Sequence, residues 1–213
     1  NQCAILNHKH ELFILDISKD KITKIERSKS SFVSFNWSPC GRYIAYSCSK
    51  TSRCNIIKIY DTQKNKSHQV TDAIYNDFSP VFDPKGNYLA FISSRTFKPI
   101  YDSIQFDLNF PKSEKIYLIA LNKNSTSPFI KDPRIDKSKN KDKKKKKEKI
   151  KTIIDFKNIK ERIMGIPIAE SILSNNLGYI KNKIFYLDWP VEISSGANNK
   201  IKGILKYYDL DLL

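Results

Sequence analysis

Short stretches of alternating apolar and polar residues, separated by tight turns, recur along the chain at a fixed spacing. The stretch Phe35–Ser47, which contains a Pro-x-Gly turn, returns as Pro80–Ile92, so that Pro39 corresponds to Pro84, 45 positions later. Repeats of about 40–50 residues that consist of short β-strands are typical of β-propellers. The pattern therefore predicts an all-β fold that consists of propeller blades.

Each repeat divides into four short segments with the alternation of half-buried strands. In the clearest copy the turn Ser38–Gly41 joins the first two strands, because proline suits the second position of a type I turn and glycine the fourth. Four antiparallel strands with tight turns make one blade. The predicted strands are Ala4–Leu6, Glu11–Asp16, Ile22–Ile25, Val33–Trp37, Tyr43–Cys48, Ile56–Tyr60, Ser67–Thr71, Phe78–Phe82, Tyr88–Ser93, Lys115–Leu121, Thr152–Phe156, Ile163–Ile166, Lys183–Leu187 and Gly203–Asp209.

About four blades of four antiparallel strands fit this pattern, and the first and last are incomplete. We divide the chain into propeller blades over residues 1–136, a lysine-rich disordered insert over 137–151, and one or more further, incomplete blades over 152–213. The sequence begins at Asn1 rather than at a methionine. Because an open ring would leave sheet edges unpaired, we expect a partial ring whose remaining blades lie outside these residues.

The formal net charge of +16 is concentrated in one place. Lys137–Lys151 contains ten lysines against Asp142 and Glu148, which accounts for half of the excess. Blocks of like charge repel one another and stay solvated, which favours a disordered insert between blades. Binding to nucleic acid or another acidic partner and nuclear targeting are the alternatives, and we rank nucleic acid last among possible partners.

The residue types that carry out catalysis or hold metals form no recognisable motif. His8 and His10 form an H-x-H pair without a third ligand, so a solvated turn is favoured over a metal site. His68 lies in a predicted outer strand without an evident nucleophile, which favours a structural role. We therefore predict no catalytic, cofactor-binding or metal-binding residues and no cofactor. The acidic residues at strand ends are expected to cap turns through their side chains: Asp61, Asp83 and Asp209.

The spacing of the cysteines and the hydropathy of the chain bear on two questions, the redox state of the thiols and the presence of a membrane span. Cys3, Cys40, Cys48 and Cys54 show no C-x-x-C spacing, which favours reduced thiols inside a cell. A Cys48–Cys54 disulfide across a hairpin is the alternative. No run of about 18 apolar residues occurs, so no membrane span is predicted.

An insert between the second and third strands of one repeat, Arg95–Glu114, is rich in aromatic residues and proline. Aromatic side chains favour burial, so we expect this loop to pack on the propeller rim or on another domain. Contact with a peptide or ligand is the alternative.

Several of these segments resemble the tricorn protease family, and the aromatic insert is the most specific of them. The likeness extends over about Phe32–Leu210, and the lysine-rich run replaces a short link of the family. The matching segments are Lys66–Asp72, Asp77–Leu89, Arg95–Pro99, Tyr101–Asp102, Phe106–Asp107, Phe110–Pro111, Ile116–Leu118, Ser127–Phe129, Ile163–Pro167 and Leu205–Leu210.

The resemblance implies a position in the second propeller, ahead of the catalytic half of a large serine peptidase. Such proteins degrade oligopeptides downstream of the proteasome, and this propeller is expected to gate or dock the peptides. The implied partners are oligopeptide substrates, the remaining blades and catalytic domains of the same polypeptide, and further copies in a homo-oligomer. The implied location is cytoplasmic. No position matches the family's catalytic motifs, so whether the chain belongs to an enzyme depends on the resemblance. The alternative is a stand-alone propeller scaffold for protein interactions, without peptidase activity.

Overall fold

The structure is a computed structural model that describes residues 2–30, 34–97, 99–101, 108–109, 112–125, 127–129, 150–190 and 202–211. In this part of the chain all strand pairing is antiparallel, and one 3-10 helix occurs at Ile159–Arg162. The strands are β1 (Gln2–Leu6), β2 (Glu11–Asp16), β3 (Lys21–Arg27), β4 (Phe35–Trp37), β5 (Tyr43–Ser49), β6 (Asn55–Asp61), β7 (Lys66–Gln69), β8 (Asn76–Phe82), β9 (Tyr88–Ser94), β10 (Ile100–Tyr101), β11 (Leu108–Asn109), β12 (Glu114–Ala120), β13 (Ile163–Gly165), β14 (Ile172–Ile180), β15 (Lys183–Trp189) and β16 (Ile204–Asp209).

Four sheets follow one another along the chain and confirm the prediction of propeller blades. Blade 1 has the order β1-β2-β3, blade 2 β4-β5-β6-β7, blade 3 β8-β9-β12-β13, and blade 4 β14-β15-β16. The separate hairpin β10-β11 lies within the aromatic insert of blade 3. The four sheets of the described residues form no closed ring, as the incomplete repeats predicted.

Alternation along each strand places apolar side chains between neighbouring blades. On β5, Ile44 and Tyr46 face blade 1, whereas Tyr43 and Ala45 pack against blade 3. On β9 the next pair of interfaces is built in the same way, with Phe91 toward blade 2 and Ile92 toward blade 4. Because successive strand residues point to opposite faces, each sheet contributes to two cores, and the blades hold one another in place.

The predicted turns form as expected. In the first, the Gly41 amide donates to the Ser38 carbonyl over 2.9 Å. In the second, the Gly86 amide donates to the Asp83 carbonyl over 2.9 Å. Gly41 and Gly86 have φ of +71° and +75°, in the left-handed region that glycine enters at little cost. The two copies of the repeat therefore share one hairpin geometry.

The prediction of a strand at Thr152–Phe156 was wrong. These residues form an extended strap that pairs with no sheet, although Thr152 is buried and Phe156 packs on the core between blades 2 and 3. The apolar alternation reflects packing against blades that already have their outer strands. The strand β14 was missed, because Ser174–Asn176 and Gly178 interrupt its apolar pattern.

The strap closes the long connection between β12 and β13 at its base. The Asp155 amide donates to the Leu121 carbonyl over 2.9 Å. The Arg162 guanidinium donates to the carbonyls of Ala120 (2.8 Å), Lys157 (2.8 Å) and Asp155. Both ends of the connection are thereby tied to blade 3. The predicted insert 137–151 belongs to this connection, and all but its last two residues lie outside the described ranges.

All four cysteines are free in the structure, and Cys48 is buried. No helix in the described residues has the length and hydropathy needed to cross a membrane.

Candidate functional site: the inner strands

The first strands of blades 2, 3 and 4 form one continuous surface. β4, β8 and β14 each lie at one edge of their own sheet, and β8 contacts both of the others. Because the sheets converge on these strands, this edge faces the axis around which propeller blades are arranged. The surface of the inner strands is therefore the part of the chain that would border a central channel.

Side chains connect these strands where no backbone ladder joins them. The Phe82 amide donates to Oδ1 of Asn36 over 3.0 Å, which links β8 to β4. The Ser79 hydroxyl donates to the Asn175 carbonyl, which links β8 to β14. A β-bulge interrupts β8 between Phe78 and Val81 and allows Ser79 to turn out of the sheet. The result is a surface on which hydroxyl and carboxamide groups are held by neighbouring blades.

A cavity of about 190 Å³ opens on this surface. Its wall combines uncharged polar residues with apolar ones, and all come from β4, β8, β14 or the residue before β4. It is lined by Ser34, Phe35, Asn36, Ser79, Pro80, Val81, Asn175, Asn176 and Leu177.

A second, wider groove lies between blades 1 and 2, with a volume of about 520 Å³. Lys19, Lys21 and Arg42 are among its lining residues. The Arg42 guanidinium is bound by Asp61 through two hydrogen bonds of 3.0 and 2.7 Å. This arrangement neutralises Arg42 and ties the start of β5 to the end of β6.

A buried ion pair stands where the aromatic insert leaves blade 3. Arg95 lies 3.4 Å from the fully buried Asp77 carboxylate, and its Nε donates to the Ser93 hydroxyl over 2.7 Å. Burial raises the pKa of Asp77 in spite of the hydrogen bond from Ser93 and the charge of Arg95. The guanidinium also lies 4.8 Å from the Tyr75 ring and 4.6 Å from the Tyr117 ring. The carboxylate of Asp77, the hydroxyl of Ser93 and the guanidinium of Arg95 are each bonded to another member of this cluster, so we assign it a structural role.

The histidines are placed apart from one another. His8 and His10 lie exposed in the turn between β1 and β2. His68 lies in β7 and stacks on Phe156, with ring centroids 3.8 Å apart. Burial, followed by the charges of Lys66 and Lys64, lowers the pKa of His68. In the described residues no three His, Cys, Asp or Glu side chains converge as a metal site would require.

The acidic residues at strand ends cap turns, as predicted. Asp61 accepts the Gln63 amide over 3.0 Å, Asp83 accepts the Asn87 amide over 3.0 Å, and Asp209 accepts the Asp211 amide over 3.0 Å. Their carboxylates are thus engaged in local hydrogen bonds. Nine of the twenty residues of the aromatic insert, among them Phe106 and Phe110, lie outside the described residues, so the expected packing of the insert stays a prediction. Phe97, which is described, is 73% exposed.

Sequence reasoning missed the inner-strand surface because nothing local marks it. Ser79 and Asn175, whose contact joins two blades, are 96 positions apart. The bulge at Ser79 could have been suspected from Pro80, since proline inside a strand is confined to edges and bulges.

Comparison with known proteins places these features in a family. Residues 1–212 match the model of the tricorn protease second beta propeller domain. A tricorn protease homolog from Saccharolobus solfataricus is 30% identical over 206 residues, which are 96% of this chain and 18% of that protein. A putative tricorn-like protease C-terminal subunit from Sulfurisphaera tokodaii is 27% identical over 211 residues, 97% of this chain and 23% of that protein.

The fold agrees with the same assignment. The crystal structure of the tricorn protease superimposes with a TM-score of 0.77 at 23% identity and covers 98% of this chain. The chain spans only about a fifth of the proteins that it matches, 18% and 23% of the two relatives and 20% of the crystallised chain. With its repeats, its four antiparallel sheets and these matches, the chain belongs to the tricorn protease second β-propeller family.

Proposed function

We propose that this chain is the non-catalytic propeller segment of a tricorn-like serine peptidase that degrades oligopeptides, and that its inner surface gates or docks the peptides. The match of residues 1–212 to the second propeller domain carries this proposal. The chemistry of the described residues supports the non-catalytic part. His68 is stacked on Phe156, and His8 and His10 are exposed in a turn, so none is placed as the base of a nucleophile.

In this proposal the segment acts with other parts of one polypeptide. Its partners are further propeller blades, catalytic domains, oligopeptide substrates released by the proteasome, and other copies in a homo-oligomer within the cytoplasm. The coverage of about a fifth of each relative supports the first two partners, because most of each relative lies outside the match.

Peptide hydrolysis tests the proposal. The whole polypeptide that carries this chain should hydrolyse short fluorogenic peptides and lose that activity with a serine-directed chloromethyl ketone. Residues 1–213 expressed alone serve as the control and should show no turnover. Hydrolysis by the segment alone would disprove its non-catalytic role. An inactive, correctly assembled polypeptide would instead favour the interaction scaffold.

A further inference from the structure

Equivalent positions on the three inner strands carry the same kind of side chain. Trp37, Phe82 and Tyr179 occupy matching places, since they pair with the second residue of the next strand: Ile44, Leu89 and Ile184. An uncharged polar residue lies three positions before each of these aromatic residues, and the residue directly after that polar residue is apolar. We call these six residues the inner collar: Ser34, Phe35, Ser79, Pro80, Asn176 and Leu177.

The inner collar lines one cavity and carries no charge. All six residues border the cavity of about 190 Å³ described above. β4, β8 and β14 contain one charged residue, Asp77, and it is buried against Arg95. With 28% charged residues on average in this chain, strands of three, seven and nine residues would contain about five. Charge is therefore sparse on this surface in a chain whose net charge is +16.

Hydrogen-bonding capacity is left open at the inner collar. Asn176 of the inner collar and its neighbour Asn175 are exposed, and a carboxamide can both donate and accept. The Ser34 hydroxyl is buried and makes no hydrogen bond within the described part of the chain. A buried polar group without a partner costs free energy.

Backbone strain is also stored at the inner collar. Ser79 has φ of +54°, a left-handed conformation that costs a residue with a side chain about 1–2 kcal/mol. The other non-glycine residues with positive φ in the described chain lie in turns or at a helix cap, whereas Ser79 lies within β8. Strain of this kind is concentrated at functional sites, where the surroundings hold it in place.

We infer that the inner collar binds the main chain of an extended oligopeptide and is indifferent to the charge of its side chains. This inference rests on the proposed function and names the substrate class for its inner surface. The exposed carboxamides of Asn175 and Asn176 match peptide N–H and C=O groups, and the alternating apolar residues offer contact without specificity. Each such hydrogen bond contributes little in water, and weak binding at several points allows a ligand to enter a passage and leave it again.

Photo-crosslinking in the whole polypeptide tests this inference directly. Phe35→p-benzoylphenylalanine places the probe in the inner collar, and end-blocked decapeptides that are acidic, neutral or basic serve as ligands. We expect crosslinking yields that agree within about twofold across the three charges. A peptide with N-methylated backbone amides should bind about fivefold more weakly, since it lacks donors worth about 1 kcal/mol.

Two substitutions examine the role of charge. Asn176→Asp should raise the ratio of basic to acidic peptide crosslinking by about two- to fivefold, the size expected for one solvent-exposed charge. Asn124→Asp, at an exposed loop residue outside the inner strands, is the matched control and should leave the ratio unchanged. Both side chains are exposed, so neither change threatens folding.

Three results would overturn the inference: no crosslink at Phe35, equal crosslinking of the N-methylated peptide, or the same ratio change in both Asp variants. Hydrolysis measured in parallel separates this outcome from a failure of the proposed function. Crosslinking without hydrolysis in the wild type would support the inner collar and count against the peptidase. Hydrolysis without crosslinking would support the peptidase and reject the inner collar.

Discussion

Replacing Gly86 with alanine should loosen the junction between blades 2 and 3 far more than the same change at Gly41. Both glycines occupy the same place in equivalent turns, with φ of +75° and +71°. A Cβ atom at Gly86 would lie within 3.2 Å of the Thr152 Cα and collide with the Thr152 hydroxyl. A Cβ at Gly41 meets no atom within 4 Å. Comparison of the two alanine variants therefore separates the cost of a left-handed backbone conformation from the cost of steric overlap.

The expected magnitudes follow from these contacts. Alanine in the left-handed region costs about 1–2 kcal/mol at either turn. At Gly86 the strap must also move, and overpacking in a close-packed site adds about 1–3 kcal/mol. We expect Gly41→Ala to lower the free energy of unfolding by about 1–2 kcal/mol, and Gly86→Ala by about 2–5 kcal/mol.

Hydrogen exchange in the whole polypeptide measures each loss in the strand that follows the altered turn, β5 for Gly41→Ala and β9 for Gly86→Ala. About 1.4 kcal/mol corresponds to a tenfold change in an equilibrium constant. Thr152→Ala should recover part of the loss in the Gly86→Ala background and little in the Gly41→Ala background. Equal losses in the two glycine variants, or equal recovery in both, would refute the steric argument.

Three further changes probe other contacts. Arg95→Met leaves the buried Asp77 carboxylate without its cation and should lower the free energy of unfolding, measured in urea, by about 3–5 kcal/mol. Asp77→Asn in the same background should restore part of that loss. If it restores none, the ion-pair account is contradicted. The pKa of His68 is lowered below 6.5 in the folded chain, so the unfolded chain takes up a proton first as the pH falls. The free energy of unfolding should therefore be highest above pH 6.5 and decrease as the pH falls through that value. The same pH dependence in the His68→Gln variant would disprove this. Deletion of Lys137–Lys149 should alter unfolding by less than about 0.5 kcal/mol, and a larger loss would show that this segment supports the blades.

The sequence predicted those parts of the fold that repeat locally. Strands β5 and β9 follow tight turns and alternate regularly, so period and turn chemistry sufficed to locate them. The inner surface depends instead on how separate blades approach one another. β14 escaped prediction because Asn175 and Asn176 face an opening, where polar residues break the apolar alternation. The strap at Thr152–Phe156 has strand-like alternation, yet the neighbouring sheets leave it no ladder to join.

The hydrogen bond from the Asp155 amide to the Leu121 carbonyl makes blade 3 tolerant of changes in the length of the connection between β12 and β13. The two ends of the connection are fastened by this bond and by Arg162, and Phe129 and Thr152 within it pack on the blades. The length of the chain between Phe129 and Thr152 can therefore change while these contacts stay in place. The entropy of closing such a loop grows only with the logarithm of its length, about 0.6 kcal/mol for each doubling. The stretch between Phe129 and Ile150 should therefore accept a reporter domain or an affinity tag at a small cost in the free energy of unfolding.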